Sequence, residues 1–271
     1  MIERDIKDMA KLEYKPFSKA VGFSTYSTPE GEVCFVTFEE PLSNRNYLLE
    51  IQPGGGFVPK SGLIVSRCIE DVVRGKRVLD MCTGETGILA IHSAISGASE
   101  VVGVDVDEKT VAWAKYNGQL NSLGNTKWVV SDLFKDLGEE KFDVIISNPP
   151  QMPMASGPTH DWGGTNGRDF IERIISDAPS HLSPKGELYI LIFDFLGVTE
   201  SYGDIPPLKE IFKKHGFQIE IVAKEKRKVR KGGQTEKSLE YIQKEYPYYR
   251  FQTEDDSLFH EILIVRAILS S

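Results

Sequence analysis

Four short apolar runs constrain this chain more than any other feature: RVLDM (77–81), EVVGVD (100–105), TKWVVS (126–131) and FDVIIS (142–147). Each is five or six residues long and lacks a polar face. Such runs read as strands buried on both sides, the pattern of a parallel sheet covered by helices. Helical segments alternate with them: GILAIHSAIS follows the first and EKTVAWAKYNGQLN the second. Further on, GRDFIERIISDAPSHL and PPLKEIFKKHG read as helices, and GELYILIF, FQIEIVAKE and HEILIVRAIL as strands. The alternation predicts an α/β fold with a doubly wound, seven-stranded, mainly parallel sheet. No crossover helix of ordinary length separates the last two strands, which allows an antiparallel pairing there.

The first 56 residues differ. AVGFSTY and EVCFVTF are rich in β-branched and aromatic residues and flank Thr28-Pro29-Glu30-Gly31, which predicts a hairpin. NYLLEI adds a third strand. The punctuation QPGGGFVPKSG sets a boundary, giving a β-rich arm over 1–56 and a main domain over 57–271. The main domain opens with a helix carrying Ile64, Val65, Cys68, Ile69, Val72 and Val73, capped at Gly75. It holds an insertion, 224–258, between its last two strands. That insertion begins with the basic run KEKRKVRKGG, read as a solvated strand edge or a phosphate contact. A tyrosine-rich stretch follows, read as a packing face or a substrate wall.

Composition excludes several classes. With 40% hydrophobic and 27% charged residues, the chain is soluble and globular. No apolar run is long enough for a membrane span, so no membrane partner is expected. The three cysteines are unclustered and no His/Cys/Asp set has metal-ligand spacing, which predicts a reducing, cytoplasmic setting and no metal. A net charge of −8 argues against a general nucleic-acid binder.

Chemistry concentrates where the four strands end. Asp80 precedes a turn with Gly84 and Gly87 that opens a helix, so backbone N–H groups can approach a ligand; a plain strand-to-helix turn would look the same. Asp105 lies about 20 residues beyond, the distance at which an acid holds a ribose in dinucleotide folds, or caps the next helix. Asp132 is either an acceptor for an adenine amino group or a loop carboxylate. Asn148-Pro149-Pro150-Gln151 ends the fourth strand abruptly, since proline has no N–H for a ladder. Four polar strand ends on one sheet edge match the rule that ligands bind there.

This series resembles a class I S-adenosylmethionine (SAM)-dependent methyltransferase with a Rossmann-like sheet. Within that class the Asn-Pro-Pro turn is similar to that of the release-factor glutamine N-methyltransferases and of the adenine-N6 methyltransferases. The resemblance implies SAM as cofactor. Pro59 in FVPKSG would cover it, Asp80, Cys82, Thr83, Gly84, Glu85 and Gly87 would cradle its methionine part, and Asp105 and Val106 its ribose. Asp132 and Leu133 would lie at its adenine. Asn148 and the Pro149 carbonyl would face the acceptor nitrogen, with Pro150 and Gln151 completing the turn and WGGTNG (162–167) as the glycine-rich loop after it. Two departures stand out. Cys82 replaces the usual first glycine, and Glu85-Thr86 adds a residue before Gly87. Gln151 stands where an aromatic residue is usual, and base–aromatic stacking contributes about 1–3 kcal/mol. The expected reaction is therefore methyl transfer to a planar nitrogen, with a protein glutamine as the expected partner. RNA or DNA adenine, a small molecule, or a non-catalytic SAM-binding role are the alternatives.

Overall fold

The computed structural model describes residues 20–28, 31–40, 45–51 and 60–270; of the first three segments it describes the backbone and the side chain of Leu49. The expected domain boundary at 56/57 and the expected cofactor residue Pro59 lie outside the described residues. Internal contacts divide the chain into two units, Met1–Asp136 and Leu137–Ser271.

In the first unit, β1 (Ala20–Thr28), β2 (Gly31–Glu40) and β3 (Arg45–Ile51) form an antiparallel sheet. Thr28 pairs with Gly31, so the hairpin turns where the sequence predicts. The alternating elements follow: α1 (Lys60–Ile69), β4 (Arg77–Met81), α2 (Ile88–Ile95), β5 (Glu100–Asp105), α3 (Glu108–Leu120) and β6 (Thr126–Val130). Strands β4, β5 and β6 are parallel neighbours in that order, with Asp80 opposite Gly103 and Asp105 opposite Val130. α1 is shorter than its apolar pattern suggests. It stops at Ile69, whose carbonyl accepts from the Val72 and Val73 N–H groups, and Gly75 takes a left-handed φ of 69° beyond that turn.

One side chain organises the core of this unit. The Trp128 indole sits in a notch made by three glycines from different elements. A Cβ would lie 2.6 Å from the ring at Gly103, 2.8 Å at Gly87 and 3.0 Å at Gly118. Each distance is well inside van der Waals contact, so the ring occupies space that only hydrogen leaves free.

The second unit holds β7 (Phe142–Ser147), α4 (Asp169–Asp177), β8 (Leu182–Phe193), α5 (Leu208–Lys214), β9 (Phe217–Lys228), α6 (Gln234–Lys237), α7 (Leu239–Glu245), β10 (Gln252–Glu254) and β11 (Ser257–Leu269). β7 runs parallel to β8. β11 lies antiparallel to both β8 and β9, the allowed reversal of the last strands. Among the described residues eight strands therefore follow the N-terminal sheet, one more than expected. The additional one is β10, a three-residue partner of β11 too short to show a period. The expected helix over 167–182 is α4 plus a 3-10 turn at Ala178–Ser180, because Pro179 cannot donate into an α ladder.

The first half of the basic run lies in β9, and three of its cations meet carboxylates. Arg227 pairs with Glu225 at 2.8 Å, Lys224 with Glu261 at 3.8 Å, and Lys226 with Glu254. Lys226 also lies 4.6 Å from the centre of the Phe259 ring. Surface pairs of this kind add little stability, but they offset part of the local positive charge. The tyrosine-rich stretch packs inward: Ile242 and Tyr246 are buried, and the Tyr246 hydroxyl donates to the Asn166 carbonyl at 2.6 Å. The Tyr249 hydroxyl donates to Asp194 at 2.8 Å.

Candidate active site

The first unit carries a cradle at the carboxyl ends of β4, β5 and β6. Asp80 is fully buried. Its Oδ2 accepts from the Thr83 hydroxyl at 2.5 Å and from the Ala90 N–H at 3.0 Å, while Oδ1 has no partner among the described residues. Burial pushes this carboxyl up to about 7 against the pull of those two donors, and the charge of Asp105 adds to the rise. Thr83 is tied down at both ends, since its N–H also donates to the Val104 carbonyl at 2.8 Å. Asp80 and Thr83 thus fix the turn as a rigid frame.

The two glycines of the turn do different work. Gly87 is filled by Trp128, and it needs glycine for φ (61°) as well as for space. Gly84 has a φ of 67° and nothing within 4 Å of a Cβ position, so open space lies over its backbone. Cys82, at φ 62°, is also left-handed, an uncommon state for a residue with a side chain. Buried Asn117 of α3 donates to the Glu85 carbonyl at 3.3 Å and pins the added residues of the turn.

Asp105 does not cap α3. That role belongs to Asp107, whose carboxylate accepts from the Thr110 N–H at 2.7 Å. Asp105 instead turns toward the glycine turn: Oδ2 accepts from the Gly84 N–H at 3.1 Å and Oδ1 from the Asp107 N–H at 3.3 Å. Burial raises its pKa, with the Gly84 N–H working against the rise. Beside it Val106 is 57% exposed, an apolar surface next to the acid. After β6, Asp132 is exposed and Leu133 takes a left-handed φ of 53° with its side chain in the core. Ser131 holds this bend by donating to the Leu133 carbonyl at 2.8 Å and accepting from the Asp136 N–H at 3.0 Å. Acid, open glycine, second acid, apolar face and polar bend form a set of the kind a nucleoside with a charged tail requires.

The second unit carries the Asn-Pro-Pro turn at the end of β7. Asn148 is half-buried, and its side chain has no hydrogen-bond partner among the described residues. Gln151 is the reverse. It is 3% exposed; Nε2 donates to the Pro149 carbonyl at 3.2 Å and to the Leu191 carbonyl at 3.0 Å, and Oε1 accepts from the Phe193 N–H at 2.8 Å. Gln151 thus completes the turn with its whole amide engaged inside the protein. The glycine-rich loop wraps the same residue: a Cβ at Gly163 would lie 2.5 Å from the Gln151 Cα, and one at Gly167 2.6 Å from its carbonyl oxygen. Farther along the loop, His160 is exposed and pairs with Asp161 at 3.3 Å. Among the described residues, no group of His, Cys, Asp and Glu is gathered to hold a metal ion.

Sequence reasoning missed Trp128, Asn117 and Asp107. Asp107 had a signal, an aspartate just before a helical segment. The other two had none, because a close approach between distant elements leaves no local pattern.

The fold is that of the class I methyltransferases, shared with solved structures that hold AdoMet or SAH. The methyltransferase small domain family matches residues 59–229, and the chain belongs to that family. A relative from Methanocaldococcus jannaschii, named "Putative protein N5-glutamine methyltransferase", is 35% identical over 159 residues, covering 56% of this chain and 76% of the relative. The release factor glutamine methyltransferase of Thermodesulfovibrio yellowstonii is 25% identical over 198 residues, 66% of this chain and 68% of the relative. The ribosomal protein L11 methyltransferase of Lactobacillus johnsonii is 28% identical over 193 residues, and the match covers 69% of this chain and 53% of the relative. Among solved structures, a Thermus thermophilus 16S rRNA N2 G1207 methyltransferase with AdoMet and guanosine superposes with a TM-score of 0.53. It is 17% identical and covers 92% of this chain and 51% of that one, a likeness of fold.

Proposed function

We propose that this enzyme methylates the side-chain amide nitrogen of a glutamine in a protein substrate. The observation that carries the reading is the contrast within the turn. The Asn148 amide is unengaged at a strand end, while the position that would offer a stacking ring holds a buried, fully bonded Gln151. A flipped base has no aromatic platform there. The relatives named as glutamine methyltransferases support the same substrate class.

The cofactor supplies an electrophilic sulfonium methyl. Gly84, Asp105 and Asp132 would hold it, by backbone approach, at the ribose hydroxyls and at the adenine, and Val106 would cover its apolar side. The acceptor amide is a weak nucleophile because its lone pair is delocalised. The Asn148 Oδ1 and the Pro149 carbonyl each accept one of its N–H groups, which fixes the nitrogen and favours the positive charge that develops on it. With the methyl group supplied by SAM, the surplus N–H proton of the acceptor amide would leave to solvent. No strong base is needed, since that proton becomes acidic only as the bond forms. Rigid prolines keep both acceptors in place. Three cysteines unclustered in sequence suit a reducing cytoplasm.

The test is transfer of labelled methyl from SAM into fractionated cell extract by wild type and Asn148→Ala. Label is expected in protease-sensitive material, recovered as methylglutamine, with turnover reduced about 10²-fold in the variant and SAM still bound. Label in nuclease-sensitive material would overturn the substrate assignment.

A further inference from the structure

The sheet register shows what Gln151 replaces. Ser147 of β7 lies opposite Ile190 of β8, so two residues further on Pro149 falls opposite Ile192. In a parallel ladder, the residue opposite Ile192 donates its N–H to the Leu191 carbonyl and accepts from the Phe193 N–H. Pro149 has no N–H to give. The Gln151 side chain makes both bonds instead, at 3.0 Å and 2.8 Å. One planar amide thus stands in for the missing peptide group. Its second N–H reaches back to the Pro149 carbonyl at 3.2 Å. That carbonyl is thereby released from the ladder yet still tied to β8 through one rigid side chain. Gly163 and Gly167 close on the Gln151 backbone so tightly that it has no room to shift.

We propose that Gln151 is a positioning residue for methyl transfer. It takes Pro149's place in the sheet and aims the Pro149 carbonyl at the acceptor amide. This rests on the role given to that carbonyl above. The second lone pair of the carbonyl is left for substrate, and the first is held by Nε2. A residue without an amide at 151 would leave the Leu191 carbonyl and the Phe193 N–H unpaired and the turn free to tilt.

The experiment compares wild type, Gln151→Met, Gln151→Glu and Asn148→Ala, using whichever acceptor fraction takes label from SAM. Folding is checked by circular dichroism and SAM affinity by calorimetry. Gln151→Met is expected to lower kcat about tenfold or more with SAM affinity within twofold of wild type. Gln151→Glu gives the sharper readout. A carboxylate has no proton for the Leu191 and Pro149 carbonyls, whereas a carboxylic acid has one. Its kcat should therefore fall as pH rises and recover toward acid pH, a limb that wild type lacks. A bystander brace would reduce the folded fraction without giving kcat a new pH dependence. If both Gln151 variants keep wild-type kcat per folded enzyme while Asn148→Ala is inactive, the positioning role is wrong and the function stands. If Asn148→Ala is fully active, the reading of the turn fails and the inference falls with it. Should Gln151→Met fail to fold, the pH profile of Gln151→Glu decides alone.

Discussion

Replacing Asp80 by asparagine isolates a cost that the cradle carries without cofactor. The carboxyl is fully buried, and burial pushes it up to about 7 from an ordinary 3.8. Between those two values the folded protein binds a proton that the unfolded chain has released. Stability from this group is therefore complete below about pH 4 and is lost as pH rises through 7. Each unit of pKa difference corresponds to about 1.4 kcal/mol, so the full loss is on the order of 4 kcal/mol. The asparagine side chain has no proton to lose in this range, and its carbonyl can still accept from Thr83 and Ala90. Its amide group points to where Oδ1 now has no partner. The assay is urea unfolding of the cofactor-free enzyme from pH 4 to pH 8. The difference in unfolding free energy, Asp80→Asn minus wild type, should grow with pH in favour of the variant and level off near pH 8. A difference that stays flat, or shrinks, would refute the claim that Asp80 is a carboxyl held against its charge.

Three further predictions separate ligand space from core space. Gly84→Ala, at an open position with positive φ, should cost roughly 1–2 kcal/mol of stability from strain but weaken SAM binding more than tenfold in calorimetry. Gly103→Ala, 2.6 Å from the Trp128 ring, should instead lower the unfolding free energy in urea by about 1–3 kcal/mol through overpacking. Val106→Ser, at an exposed site, should leave thermal unfolding within a degree or two and raise the Kd for SAM several-fold, as expected for about 1 kcal/mol of lost apolar contact.

β4, β5 and β7 were legible because burial on both faces writes itself into consecutive apolar residues; β6, with only half-buried and exposed residues, was legible from its β-branched and aromatic content instead. β4, β5, β6 and β7 fall where the runs fall. Asp80 and Asp105 were legible as strand-end acids, and Asp105 was separable from a capping role only once Asp107 was seen to take the cap. Gln151 could be read as a departure from an aromatic residue, but not as a substitute for a peptide group. That role depends on the register of β7 against β8, which joins residues 42 positions apart. The two turn glycines looked alike in sequence. Only the approach of Trp128, from another strand, shows that one is filled and the other open.

The glycine notch around Trp128 also limits the order in which this sequence can change. Gly103 and Gly118 have ordinary backbone angles, so alanine is barred from Gly118 by the indole alone and from Gly103 chiefly by the indole, with the Thr83 hydroxyl 3.2 Å away as a second tight neighbour. A smaller residue at 128 would lift the bar at Gly118 and the larger part of that at Gly103, while Gly87 would stay bound by its φ of 61°. Alanine at 103 or 118 is thus unfavourable before the indole shrinks and tolerable after it. Filling the space left by a lost indole ring, it would even be favourable. The three positions form an epistatic set with a fixed first step, and a mutational scan in the wild-type background alone would score two permissive sites as intolerant.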